Sequence, residues 1–446
     1  MKKTKLTFFL KKMLLSVIAV LTFTACSNDD DDRNETITVI KFLDNQAEAY
    51  KGETVSLKLT LEGSYNQSEM SLFIGDTKVE SFSLIGHIPD EGEMFYTLEF
   101  NLPASIAAPS EASIILQTKD TRITGPELKI GITYYSSHFG SESLGRLNMA
   151  MTSIEDGKIV SVSQGLMLAP LKKVTFNANS IDKDFFPIVN YTWSTDFTLP
   201  DSPTGVAPVY TISGNRLGMD TRNGITYFPL MYYSKAEQKN RYYLAQEYRD
   251  ILDFCGSEIY TKSTFDGSVT DVRIDANNNI YVIDESKPNC IQKMSVTKSP
   301  EIWVGSATES GSVDGNGAAA RFENVISLQR DSKDNLYVAQ KNVIRKITPD
   351  GTVSTLNKFA FQNIEAFTIT PDDRIYVLDG KDNTKITIIN AAQTESIFAR
   401  ILDPLNPGSS YPIYADNMAV STDGIVYFRK FSSAIKNSSL NILVPN

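Results

Sequence analysis

Between 311 and 356 the chain reads GSVDGNGAAARFENVISLQRDSKDNLYVAQKNVIRKITPDGTVSTL. Four short apolar runs, at 325–328, 336–339, 343–347 and 353–356, are separated by clusters of Asp, Asn, Gly and Pro. That spacing predicts a four-stranded antiparallel meander. The turn residues Asp331, Asp334 and Asn335 can hydrogen-bond their own backbone and tolerate left-handed φ, and Pro349 and Gly351 suit a tight turn. A lone four-stranded sheet cannot bury both of its faces, so this unit requires stacked siblings.

The siblings emerge on aligning the second strand with the turn before it. They lie at 149–160, 217–228, 272–282, 367–377 and 418–428, each with alternating apolar residues, an Asp/Asn/Gly turn and an aliphatic-aromatic strand. With the 311–356 copy this makes roughly 50 residues per unit, the length of a propeller blade. The expected fold is all-β, with a six-bladed β-propeller over 136–446. The last copy has only one further strand, at 440–444, so residues near 131–146 are expected to complete it. The 311–356 stretch resembles an NHL repeat. That resemblance makes the glycine-rich run from Asp314 to Phe322 an ordinary blade-to-blade crossing rather than a phosphate or cation loop. Trp303 aligns with Phe254 of the previous copy, which predicts packing between blades.

The N-terminus carries lysines at 2, 3, 5, 11 and 12, then an apolar run, then small residues before Cys26. This resembles a lipoprotein signal over 1–25, with Cys26 lipidated and 26–35 as an acidic tether. Asp29 to Asp32 resemble the surface-export tag of Bacteroidetes lipoproteins, which implies a lipid-anchored, cell-surface protein of the outer membrane. No other stretch reaches the roughly 18 apolar residues of a membrane span, so the lipid is the expected membrane contact. Losing five lysines with the signal moves the formal charge from −10 to about −15, which disfavours nucleic acid as a partner.

Alternation at 54–61, 70–74, 95–100, 113–117 and 128–134, broken by glycines and prolines, predicts a β-sandwich of immunoglobulin size over 36–135. The segment beginning at Gly52 resembles IPT/TIG domains, which implies a spacer role.

The residues favour binding over catalysis. The only histidines are His87 and His138, so 140–446 can hold neither a histidine-bound zinc, as in NHL-type amidating lyases, nor a Ser-His-Asp triad. No metal or other cofactor is expected. The runs at 275–279 and 331–335 lack the glycine and distal glutamate of an EF-hand and read as turns. Cys255 and Cys290 fall in different repeats, which does not favour a disulfide. A carboxylate-based polysaccharide hydrolase or lyase stays open, because 53 acids leave many candidate pairs.

The longer connections, 163–170, 194–212, 231–241 and 401–415, fall on the propeller face that carries the second-to-third-strand loops and blade crossings. They or their edges hold Tyr191, Trp193, Tyr210, Tyr232, Tyr233, Arg241, Tyr411 and Tyr414. Flat aromatic faces stack on sugar rings while acids and amides take the hydroxyls, so these residues form the candidate glycan platform. The expected function is glycan binding beside outer-membrane transporter proteins. The alternative is a protein-interaction scaffold on the same surface.

Overall fold

The computed structural model describes residues 39–138, 148–155, 158–164, 171–181, 187–193, 210–211, 218–234, 238–248, 251–255 and 265–445. Within these spans, 45, 51–52, 63–66, 90–92, 104, 107, 109, 120, 395, 404–405, 407–408, 422–423 and 433–436 are excepted. The expected signal, Cys26 and the acidic tether lie outside the described residues.

The strands between 39 and 131 form two facing sheets. One orders its strands Val39–Phe42, Thr54–Glu62, Phe95–Asn101, Phe82–His87, and the other Gln46–Tyr50, Arg122–Gly131, Ser110–Gln117, Ser71–Ile74, Thr77–Lys78. Alternation dictates which side is buried: Val55, Leu57 and Leu59 point inward while Ser56 and Lys58 face solvent. Leu59, Leu72, Leu98, Ile114, Leu116, Leu128 and Ile130 are fully enclosed between the sheets. Each contributes on the order of 2 kcal/mol of hydrophobic stabilisation. His87 bonds Thr97 Oγ1 at 2.9 Å and stacks on Phe95, a structural setting.

The rest of the chain is a series of meanders. They comprise Asn148–Glu155, Lys158–Gln164, Leu171–Ile181, Pro187–Trp193; Gly218–Arg222, Ile225–Ser234, Lys239–Tyr248, Ile251–Cys255; and Val269–Ile274, Ile280–Asp284, Cys290–Ser295, Lys298–Gly305. Then follow Ser327–Arg330, Leu336–Ala339, Ile344–Ile347, Thr352–Thr355; Ile364–Ile369, Ile375–Asp379, Lys385–Ile389, Ser396–Leu402; and Asn417–Val420, Val426–Ser432, Asn437–Pro445. The first strand of each touches the first strand of the next, and Asn417–Val420 returns to touch Asn148–Glu155. That closed order around an axis is a β-propeller.

The final meander lacks a fourth strand of its own and takes it from the N-terminal side. Thr133–His138 pairs antiparallel with Asn437–Pro445, Tyr135 opposite Val444, and parallel with Ser396–Leu402, Thr133 opposite Arg400. Only Ile132 separates this strand from Arg122–Gly131 of the sandwich. The alternation Leu128, Ile130, Ile132, Tyr134 runs unbroken through both domains: the first two sit in the sandwich core, the last two in the propeller core. The closing strand Thr133–His138 lies within the 131–146 stretch expected to complete the last copy. The junction is braced. Arg400 pairs with Glu53 and lies 4.3 Å over the Tyr50 ring, and Lys129 Nζ donates to Ser396 O at 3.4 Å. At Gly131 there is no room for a Cβ between Phe398 O and the Tyr50 ring.

The repeated turn has a specific chemistry. Asp275 Oδ1 accepts from the backbone N–H of Asn277 and Asn279 at 2.9 and 2.8 Å, while Oδ2 accepts from Asn279 Nδ2 and Tyr281 Oη at 2.7 and 3.0 Å. Asp331 repeats this with Lys333, Asn335 and Tyr337. The pattern Asp-x-x-x-Asn-x-Tyr thus closes the turn and ties it to the next strand. Left-handed φ falls at the same place each time, at Asn278, Asp334 and Asp373. Neighbouring turns are chained, since Asp334 Oδ2 accepts from Ala276 N at 3.0 Å and Asp373 Oδ1 from Ser332 N at 2.7 Å.

The closing strand yields the first prediction. A fragment starting at Ile132 should fold as a cooperative monomer, whereas one starting at Leu147 leaves an open edge on Asn437–Pro445 and should aggregate. Circular dichroism and sedimentation of the two fragments check this; a monomeric, cooperative 147–446 fragment would show that the strand is dispensable.

Candidate functional site

Several motifs with chemical potential are spent on structure. Asp314 Oδ1 accepts from Arg345 Nη2 at 2.6 Å and from Thr355 Oγ1 at 2.9 Å, and Oδ2 from Thr355 N at 3.1 Å. Arg345 is fully buried, 4.8 Å over the Phe322 ring, and also donates to Val313 O and Arg321 O. The glycine-rich run is therefore a crossing pinned to its blade, in which Gly315–Asn316 adds a short strand beside Thr352–Thr355. The 275–279 and 331–335 runs are the turns described above. Cys255 and Cys290 are buried and are not joined in a disulfide, and burial pushes Cys290 up to about 11. Trp303 packs against the core shared by the 269–305 and 327–355 meanders, its ring 4.7 Å from Tyr281.

The inner strands carry a paired ion network near the axis. Asp271 accepts from Arg273 Nη1 at 2.6 Å, Leu328 N at 2.8 Å, Ser327 Oγ at 3.0 Å and Val272 N at 3.0 Å. Burial holds its carboxyl above the usual range in spite of those donors. Gly218 makes room for it, because a Cβ there would overlap the Asp271 carboxylate. Asp220 Oδ2 accepts from Ile274 N at 2.9 Å, and Asp334 Oδ1 takes both Arg222 and Arg330 at 3.0 Å. The carboxylates of this cluster are engaged by cations or backbone N–H groups, an arrangement that fixes blades rather than performs acid–base chemistry. Among the described residues, no cluster of His, Cys, Asp and Glu could hold a metal ion.

The opposite face carries the second-to-third-strand loops and the crossings. Tyr191 and Trp193 lie in the outermost strand of the 148–193 meander, in register with Phe176 and Val174. Tyr210 is opposite Tyr232, and Tyr232 is opposite Arg241, so three of the sequence candidates form one cross-strand row; Tyr233 follows at the next position. Arg241 is half-buried. The side chains of Tyr191, Trp193, Tyr210, Tyr232 and Tyr233 lie outside what is described. Tyr411 and Tyr414 sit in the crossing between 402 and 417 and are 38% and 51% exposed, with Tyr411 N donating to Ile401 O at 2.8 Å.

Sequence reasoning missed a cleft on this same face. Thr270, Ile283, Glu285, Pro288, Asn324, Val325 and Ile326 enclose about 360 Å³ between the 269–305 and 327–355 meanders. Burial, with Asp284 alongside, pushes the Glu285 carboxyl above the usual range. No sequence signal marks it, because Glu285 is one acid among 53 and its neighbours come from two different repeats.

No protein-family model matches the chain, and no curated protein matches its sequence. Among solved structures it is similar to a Bacteroides thetaiotaomicron protein of unknown function, at 13% identity over 94% of this chain and 100% of that one, TM-score 0.38. It is also similar to a gluconolactonase from Xanthomonas campestris, at 8% identity over 70% and 95%, TM-score 0.34. A third similarity is to the Dos1 propeller, at 7% identity over 92% and 95%, TM-score 0.32.

The turn carboxylates set the acid response. Burial alone would raise Asp275, but donors from Asn279, Tyr281 and Asn277 outweigh it and leave the carboxyl below the usual range; at Asp314, Arg345 and Thr355 do the same. A depressed folded pKa contributes stability that is complete above the unfolded carboxylate value of about 4 and is lost as pH falls through the folded value. Asp275→Asn should therefore lower stability by roughly 1–2 kcal/mol at pH 7. The gap from the parent should narrow by pH 3, where the parent has begun to lose the same contribution. Thermal melts of both proteins at the two pH values check it, and an equal gap at both would contradict the assignment.

Proposed function

We propose that this chain is a cell-surface lipoprotein of NHL-repeat type that binds glycan beside an outer-membrane uptake system. In this reading Cys26 carries the lipid and 26–35 is the tether. The immunoglobulin-like, IPT/TIG-like unit over 36–135 stands the propeller off the membrane. The meanders form a six-bladed ring, closed by the strand that the sandwich hands over. The observation that carries the reading is the row Tyr210, Tyr232, Arg241 on the crossing face. The exposed Tyr411 and Tyr414 also stand on that face. Aromatic faces beside a guanidinium suit sugar rings and their oxygens. The engaged carboxylates of the inner strands weigh against a hydrolase or lyase centred on them.

Trp193 is the first residue to test. It ends the outer strand where the long 194–212 crossing begins, and it has no counterpart in the other repeats. Trp193→Ala should abolish retardation in affinity gels cast with polysaccharide, a loss on the order of 1–3 kcal/mol, and leave the melting temperature nearly unchanged. Trp303→Ala should do the reverse, destabilising by roughly 1–3 kcal/mol through a cavity beside Tyr281. Unfolding by Trp193→Ala, or a parent that no polysaccharide retards, would remove the platform and favour the protein-interaction scaffold.

A further inference from the structure

The hairpin that carries the aromatic row is longer than a blade needs. Its strands Ile225–Ser234 and Lys239–Tyr248 have 10 residues each, whereas the second strands of the next three meanders have 5, 4 and 5. The extra length lies toward the turn that joins the two strands, on the crossing face. There Tyr210–Thr211 pairs with the Met231–Tyr232 edge, and a bridge from Tyr242 to Phe265 holds the other edge. At about 3.4 Å per residue, five added residues make a ledge about 17 Å long.

The ledge is cationic in a chain of formal net charge −10. Lys239 is opposite Ser234, Arg241 is opposite Tyr232, and Tyr232 is opposite Tyr210. Positions two apart on a strand share a face, so Lys239 and Arg241, about 7 Å apart, stand on the face of Tyr210 and Tyr232. Lys239 is exposed and Arg241 half-buried. The only acid in these three strands is Glu247, at the far end opposite Thr226. The bridge at Phe265 brings Asp266 to the ledge, but Lys287 holds that carboxylate at 2.6 Å, so the cations stay in excess. Tyrosine faces take a sugar ring whatever its charge. Two cations beside them add attraction for a sugar with anionic oxygens, which a guanidinium meets through paired N–H donors. We propose that the ledge binds an anionic glycan, its carboxylate or sulfate groups on Lys239 and Arg241 and its rings over Tyr210 and Tyr232. This rests on the glycan reading above and names the substrate class of the same site. Nucleic acid also offers anions and stackable rings, but the net negative charge of the chain opposes it.

The test is affinity electrophoresis of the full chain at about 150 mM salt, in gels cast with polygalacturonate, its methyl ester, dextran sulfate or dextran. Polygalacturonate or dextran sulfate should retard the parent, and whichever does so identifies the acidic group as carboxylate or sulfate ester. Arg241→Gln should weaken that retardation about tenfold. Lys239→Glu, a charge reversal at an exposed position that leaves the fold intact, should abolish it. Lys298→Glu, an equal reversal on another meander, should change nothing. Retardation by neither anionic gel, or indifference to both hairpin substitutions, overturns the proposal. If the methyl ester and dextran retard the parent as strongly as their charged counterparts, the anionic assignment falls while the glycan reading stands. If none of the four gels retards the parent, both fall. An oligothymidylate that binds through Lys239 as tightly as the acidic glycan would overturn the assignment to sugar. Loss of retardation with Lys239→Glu but not with Trp193→Ala would uphold the ledge and remove Trp193 from the platform.

Discussion

The pairing of Thr133–His138 with Asn437–Pro445 is the constraint on which the rest of the propeller depends. A ring of meanders has no natural end, and without this strand the last meander would present an unpaired edge. Its seat is apolar as well as hydrogen-bonded: Tyr134 is fully buried and donates to Gly424 O at 2.8 Å. One covalent step at Ile132 leads back into the sandwich, and Arg400 contacts Glu53 and Tyr50 across the junction, so the two parts are in direct contact.

The turns explain why the repeats could be read at all. In Asp-x-x-x-Asn-x-Tyr each side chain has a partner inside the same seven residues, so the pattern leaves a local trace that survives loss of overall similarity. Where a hydroxyl replaces the aspartate, as at Thr370 and Ser421, the turn still closes through Arg374 N or Ile425 N. The copy becomes harder to recognise but folds alike. The structural reading of Asp314 and the glycine-rich crossing was legible for the same reason, because a crossing must be pinned to its own blade. The exact start of the closing strand was not, since Leu128, Ile130, Ile132 and Tyr134 alternate without a break while passing from one core to another.

Sites were less legible than folds, because a binding face collects residues from separate repeats. Tyr210, Tyr232 and Arg241 are candidates for the long connections they border, and the strand register places them opposite one another. The cleft at Glu285 could not be anticipated, since its walls lie some forty residues apart and only the stacking of two meanders brings Ile283 to Val325. The ion network of Asp220, Asp271, Arg273, Arg330 and Asp334 shows the complementary lesson. Charges near the axis suggest catalysis, yet the carboxylates of Asp220, Asp271 and Asp334 are engaged by backbone N–H groups and guanidinium groups.

Hydrogen exchange followed by mass spectrometry on the intact protein tests the central claim of closure most directly. If Thr133–His138 is an integral strand, its backbone amides should exchange as slowly as those of Asn437–Pro445, in the same cooperative opening event. Fast exchange across 133–138 while 437–445 stays protected would contradict it, and would mean that the ring holds without the strand donated by the sandwich.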